Sequence, residues 1–194
     1  MKIIRASHCL TTPWKNGGGS TTEIAAEPSG ASLDTFDWRV SMAQVASDGP
    51  FSEFPGIDRT LAIVSGRGLV LTIGNDAPVT IEGESEPINF AGDIPTSARL
   101  IGGEITDLNV MTRRGRFSHR LRRVREALSY DYDDNDVAVV LSLNGNTTVT
   151  SQYEVATLGH GDAAILVRAR EVSFSITPAV GSDCYLVLLR QHRD

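Results

Sequence analysis

Apolar and polar residues alternate with period two along most of this chain, which restricts it to pleated sheet. In Trp38-Arg39-Val40-Ser41-Met42, the residues Trp38, Val40 and Met42 share one face, and Arg39 and Ser41 point to the other. Leu69-Val70-Leu71-Thr72-Ile73 and Val137 through Leu143 are continuous apolar, β-branched runs suited to buried strands. Turn chemistry bounds them: Ser65-Gly66-Arg67-Gly68, Gly74-Asn75-Asp76 and Asn144-Gly145-Asn146. One stretch competes with this pattern. Phe117, Leu121, Val124 and Leu128 fall at helical spacing, so residues 117–128 stay open between helix and strand. Short strands separated by turns imply an all-β sandwich or barrel.

The pattern repeats. Leu61-Ala62-Ile63-Val64, Gly92-Asp93 and the strand from Asp107 to Arg113 return in the same order. Their second copies are Val137-Ala138-Val139-Val140, Gly161-Asp162 and the strand from Cys184 to Arg190, at offsets of 76, 69 and 77 residues. The chain of 194 residues is therefore expected to hold two β modules, residues 1–115 and 116–194, with N-terminal strands as candidates to complete the second.

Charge and composition exclude several roles. A net charge of −6 argues against non-specific nucleic-acid binding. The seven arginines between residues 113 and 125 are followed at once by Glu126, Asp131, Asp133, Asp134 and Asp136, and no stacking platform accompanies them. No apolar run reaches the roughly 20 residues of a membrane helix, and the N-terminus carries no secretory pattern. A cytoplasmic protein is expected, with Cys9 and Cys184 as reduced core thiols.

Few residues carry chemistry. The histidines, His8, His119, His160 and His192, show no ligand spacing, so neither metal nor cofactor is expected. A nucleophile elbow and a phosphate-binding loop are also missing. Sixteen of the eighteen cationic side chains are arginine, and one of the two lysines lies in Trp14-Lys15-Asn16-Gly17-Gly18-Gly19. There, backbone donors beside an ammonium and an amide would make an anion-binding corner, unless the segment is only a surface loop. Arg39 and Ser41 share a strand face, as do Asn109, Met111 and Arg113, and Arg59 leads into the strand at Leu61. If these faces line a barrel, guanidinium, amide and hydroxyl donors with Trp14, Phe51 and Met111 as apolar walls suit a small carboxylate or amide ligand. The competing assignment is structural, with Arg39 and Arg59 paired to Glu23, Asp37, Asp48 or Asp58.

The strings Thr12-Pro13-Trp14-Lys15-Asn16-Gly17-Gly18-Gly19, Trp38-Arg39-Val40-Ser41-Met42-Ala43, Phe54-Pro55-Gly56-Ile57-Asp58-Arg59 and Asn109-Val110-Met111-Thr112-Arg113 resemble the HutD/Ves family of small bicupin proteins. The likeness covers the first 115 residues and fades beyond them. It implies two tandem cupin-like, jelly-roll barrels in one bicupin unit, a ligand pocket in the first, and an accessory or regulatory role in bacterial histidine utilisation. Joined to the residue chemistry, it implies a metal-free protein that binds a carboxylate intermediate of formylglutamate or urocanate type. Lys15, Arg59 and Arg113 would hold carboxylates, Asn16 and Asn109 would read an amide or formyl end, and Trp14 and Phe51 would cover the carbon skeleton. A metal-independent isomerase or hydrolase is the alternative, and a metal-dependent cupin enzyme the second. Expected partners are the small carboxylate, no nucleic acid and no membrane; a homodimer is left open.

Overall fold

The computed structural model describes residues 1–169 and 172–193. In chain order the strands begin with β1 (Lys2–Ile4), β2 (Leu10–Pro13), β3 (Gly19–Glu27), β4 (Trp38–Val45), β5 (Gly49–Pro50), β6 (Ile57–Ser65) and β7 (Leu69–Ile73). They continue with β8 (Val79–Ile81), β9 (Ile88–Ala91), β10 (Thr96–Leu100), β11 (Ile105–Arg113), β12 (Phe117–Val124) and β13 (Leu128–Asp131). The last are β14 (Val137–Asn144), β15 (Thr147–Ser151), β16 (Val155–Leu158), β17 (Ala163–Val167), β18 (Ser173–Pro178) and β19 (Asp183–Gln191). A three-residue 3-10 turn, Ala6–His8, is the one helical element among the described residues. Among the described residues no helix is long and apolar enough to cross a membrane.

Two compact units result: Leu10–Arg116, and Met1–Cys9 together with Phe117–Asp194. Each consists of two antiparallel sheets with its own core. In the first, the sheet β2-β3-β4-β11-β6-β9 faces the sheet β5-β10-β7-β8. The inward positions of β4, β6 and β11 change character along their length. At one end Ala43, Val45, Leu61, Ile63 and Ile105 pack with Leu69, Leu71 and Ile81 of the opposing sheet. Full burial of each large aliphatic side chain contributes about 1.5–3 kcal/mol. Further along the same strands the inward positions are Arg39, Ser41, Arg59, Asn109 and Met111, which leave that end of the barrel unfilled by apolar packing.

The second unit repeats this architecture. Its sheets run β17-β14-β19-β12 and β16-β15-β18-β13, the order of β9-β6-β11-β4 and β8-β7-β10-β5, with β1 added at the β17 edge. Residues 117–124 are thus the strand β12, equivalent to β4 and paired along its whole length with β19. Arg120 and Arg122 alternate outward, a period-two signal that cross-strand pairing selects over the helical spacing.

Strand pairing also corrects the repeat. A bulge opposite Thr106/Asp107 on β11 leaves Val64 unpaired, and the same bulge opposite Asp183/Cys184 leaves Leu143 unpaired. These bulges equate β11 with β19 at the expected offset of 77, whereas β6 and β14 align at 79 and not 76. Gly92-Asp93 follows β9, but Gly161-Asp162 precedes β17, the equivalent of β9, so these turns do not correspond. Gly-Asp is general turn chemistry, and its recurrence here carries no ancestry. Both cysteines are free; Cys184 is buried in the second core, but Cys9 is partly exposed and is not a core residue.

Candidate functional site

At the polar end of the first barrel lies a cavity of about 750 Å³. Strand register sets its floor. Met111 pairs with Arg39 on one side and Arg59 on the other, and the next inward row is Ser41, Asn109 and Leu61. One step deeper, Asp107 stands between Ala43 and Ile63. Trp14, Lys15 and Asn16 on the β2–β3 turn, with Phe51, complete the part of the wall that the sequence indicated. Alternation within each strand is why distant segments deliver their polar side chains to one space.

The two arginines of the cavity, Arg39 partly buried and Arg59 buried, are held differently. Arg39 donates from Nε to Glu23 Oε2 at 2.9 Å and from Nη1 to Ser41 Oγ at 3.2 Å, so the structural pairing holds for it. Arg59 pairs with none of the four carboxylates expected. It is only 6% exposed, donates from Nη2 to Asn109 Oδ1 at 2.8 Å and from Nη1 to Ser52 O at 3.3 Å, and its Nε has no partner among the described residues. The rings of Phe51, Phe54 and Phe90 surround its guanidinium carbon at 5.3, 5.5 and 5.0 Å. Cation–π attraction of about 0.5–2 kcal/mol per ring offsets part of the lost hydration. Burial pulls the Arg59 pKa down to about 10, Asp107 opposing and Arg39 reinforcing the shift. Arg59 remains a cation at neutral pH.

Asp107 is the residue the sequence reading missed, although an aspartate two places before Asn109 on an inward strand face was a visible signal. It is 1% exposed and lines the cavity. Its Oδ1 accepts from Asn109 Nδ2 at 2.5 Å, and Asn109 thereby joins it to Arg59. Burial raises its carboxyl to about 7 against the opposing effects of Arg59 and the Asn109 hydrogen bond. Because both ends of the Asn109 amide are engaged inside this relay, Asn109 is a holder of Arg59 and Asp107 more than a free reader of ligand.

Two further expectations are corrected. Arg113 is not among the cavity residues. Its Nε donates to Phe36 O at 3.0 Å and Nη2 to Asp34 O at 2.8 Å, with the guanidinium over the Phe36 ring. It lies at the end of β11, beyond the cavity, and fastens the loop that brings Ala31, Ser32 and Leu33 to the wall. The glycine turn is not an anion corner built from backbone donors either. Gly17 N–H donates to Trp14 O and Gly18 N–H to Asn16 Oδ1, so these donors are already engaged. The turn instead presents side chains: Trp14 Nε1 donates to Thr21 Oγ1 at 2.8 Å, and Lys15 stands exposed at the rim.

Cupin barrels commonly hold a metal on a His-rich set. This cavity offers the carboxylates Glu23 and Asp107, no histidine, and the cations Lys15, Arg39 and Arg59, a donor set that does not suit a divalent ion. No cluster of three His, Cys, Asp or Glu side chains with metal-binding geometry exists among the described residues.

Two jelly-roll units of one strand order, the first with a polar cavity at one end, define a bicupin fold. Solved structures carry the same fold: a cupin 2 conserved barrel domain protein from Leptotrichia buccalis matches at a TM-score of 0.57 over 98% of this chain and 96% of its own, at 12% identity. The chain belongs to the HutD family, whose family model matches residues 6–182. HutD from Pseudomonas fluorescens SBW25 is 32% identical and matches at a TM-score of 0.86 over 99% of both chains. An uncharacterized 21.2 kDa protein in the hutC 3′ region of Pseudomonas putida is 35% identical over 122 residues, 63% of each chain. Protein Ves of Citrobacter koseri is 41% identical over 110 residues, 56% of each chain. The matched stretch thus spans less than two thirds of these two relatives.

Proposed function

We propose that this protein is a metal-free receptor for a small carboxylate metabolite of histidine catabolism, of formylglutamate or urocanate type, and acts as an accessory or regulatory factor in histidine utilisation. The observation that carries this reading is a pair of cations, Arg59 at the cavity floor and Lys15 at its rim, neither in an ion pair with a protein carboxylate among the described residues. A buried guanidinium with an unpartnered Nε favours an anion that completes its hydrogen bonds. Lys15 and Arg59 hold the carboxylates, Asn16 meets an amide or formyl end, and Trp14, Phe51 and Met111 cover the carbon skeleton. Arg39 and Ser41 contribute the wall between them. The hutC setting of the Pseudomonas putida relative supports the metabolic assignment.

Two charge-assisted contacts place the affinity in the micromolar range, about −8 kcal/mol. Calorimetric titration with formylglutamate, urocanate and formiminoglutamate tests the reading. Lys15→Ala and Arg59→Met should each weaken binding tenfold or more, about 1.4 kcal/mol or above. Absence of heat from all three compounds with folded protein would refute the ligand class.

One observation favours a second reading, acid–base turnover. Asp107, raised to about 7, is poised to take or give a proton at neutral pH. Consumption of any of the three compounds over hours by NMR, abolished in Asp107→Asn, would establish an enzyme; unchanged spectra would dismiss it.

A further inference from the structure

The Arg59–Asn109–Asp107 relay has a fixed direction. A guanidinium only donates, so Asn109 must turn Oδ1 toward Arg59 and Nδ2 toward Asp107 Oδ1. The second oxygen of Asp107 has no protein partner among the described residues, and the side chain lines the cavity. The charged groups around it are Arg59 from β6, Arg39 from β4, Glu23 from β3 and Lys15 from the β2–β3 turn. Glu23 already neutralises Arg39. That leaves Arg59 as the cation that favours a negative charge on Asp107.

A carboxylate ligand changes this balance. On Arg59 it cancels the one favourable charge that Asp107 feels, and it sets a second anion beside a carboxylate that is 1% exposed. Two like charges in contact, one of them on a side chain buried as deeply as Asp107, do not both stay ionised. Resting on the receptor reading above, we propose that Asp107 is a specificity-determining residue that receives the ligand in its neutral form. Its carboxyl O–H is donated to a carbonyl or carboxylate oxygen, while Oδ1 continues to accept from Asn109. Where Asp107 is ionised in the free protein, binding therefore moves one proton from solvent to it. The site selects anions that carry an oxygen acceptor at this depth and disfavours those that present an ammonium there.

The pKa of about 7 in the free protein sets the window in which this is measurable. The bound value lies higher, because the opposing effect of Arg59 is removed. Below about pH 6 Asp107 is protonated in both states and no proton moves; above about pH 7 the free form is ionised, and binding has to protonate it.

The test is calorimetric titration of the wild-type protein with N-formylglutamate, whose ionisable groups are carboxylates alone, and with glutarate. Each runs from about pH 6 to about pH 8.5 in two buffers of different ionisation heat. The expected result is proton uptake that approaches one per ligand at the upper end, with affinity that falls about tenfold per pH unit above pH 7. In Asp107→Asn the amide keeps an oxygen for Asn109 and an N–H for the ligand. Its affinity is expected to stay flat across the range, with no uptake. The wild-type buffer comparison decides the matter even if that variant fails to fold. Binding without proton uptake, or binding that tightens as pH rises, would overturn the assignment of Asp107 and leave the receptor reading standing. No binding of either probe at pH 6 would overturn both.

Discussion

Burying Asp107 without a direct ion pair costs the folded protein stability whenever that carboxyl is charged. Its folded-state pKa of about 7 lies above the ordinary 3.8 of an unfolded aspartate. The stability it contributes is complete below about pH 4 and is lost as pH rises through 7, because the folded state binds the proton more tightly. The difference reaches up to about 4 kcal/mol. Asp107→Asn, which keeps the hydrogen bond to Asn109, should therefore be more stable than wild type at about pH 8 and no more stable at about pH 4. Urea denaturation at the two pH values checks this; an equal difference at both would show that Asp107 is not held neutral by burial. At this scale the face of each residue was legible in advance, since Arg39, Ser41, Arg59, Asn109 and Met111 all point into one cavity. Their partners were not. Whether Arg39 meets Glu23, or Arg59 meets Asn109, depends on which strands lie side by side, and that is not local information.

The elements that shape the site are its turn and its loop. In the glycine turn, a Cβ on Gly19 would meet the Gln44 carbonyl oxygen and come within 3.0 Å of the Trp14 ring, whereas Gly17 has open space but a φ of +71°. Gly19→Ala is expected to lose about 1–3 kcal/mol through overpacking. Gly17→Ala should lose about 1–2 kcal/mol through left-handed strain alone. Thermal unfolding ranks the two, and only Gly19→Ala should also displace Trp14, read as a shift in its fluorescence. Arg113→Ala tests the loop. Loss of the bonds to Phe36 O and Asp34 O, worth about 1–3 kcal/mol together, should speed hydrogen exchange over residues 31–37 about tenfold or more while β11 stays protected. Unchanged exchange would mean that Phe36, buried against Ile57 and Met111, holds the loop by itself. The glycines were conspicuous in the sequence, but their reason was not. Gly19 is required by the backbone of β4, which lies 25 residues away at Gln44.

For the whole molecule, the bulge-aligned repeat explains why the polar inward positions of the first barrel do not recur in the second. Arg59, Asp107, Asn109 and Met111 correspond to Ala138, Cys184, Leu186 and Leu188, and the interior of the second unit is filled by apolar side chains that include Tyr132 and Phe174. Titration should give one ligand per chain. Leu186→Ala should destabilise the protein by about 2–5 kcal/mol through a cavity in that core while leaving ligand affinity unchanged. A stoichiometry of two, or affinity lost in a variant shown to be folded, would contradict this division of labour. Read as sequence alone, the chain determined its class: period-two alternation cut by turns permits little but antiparallel sheet, and it sorts inward from outward residues because the pleat is a property of each strand by itself. Only the tertiary structure decided register, the position of the bulges, the pairing of Arg39 and Arg59 and the identity of Asp107 as part of the cavity lining. Each of these depends on hydrogen bonds between strands far apart in the chain, where a shift of one residue exchanges the lining of the cavity for its outer wall.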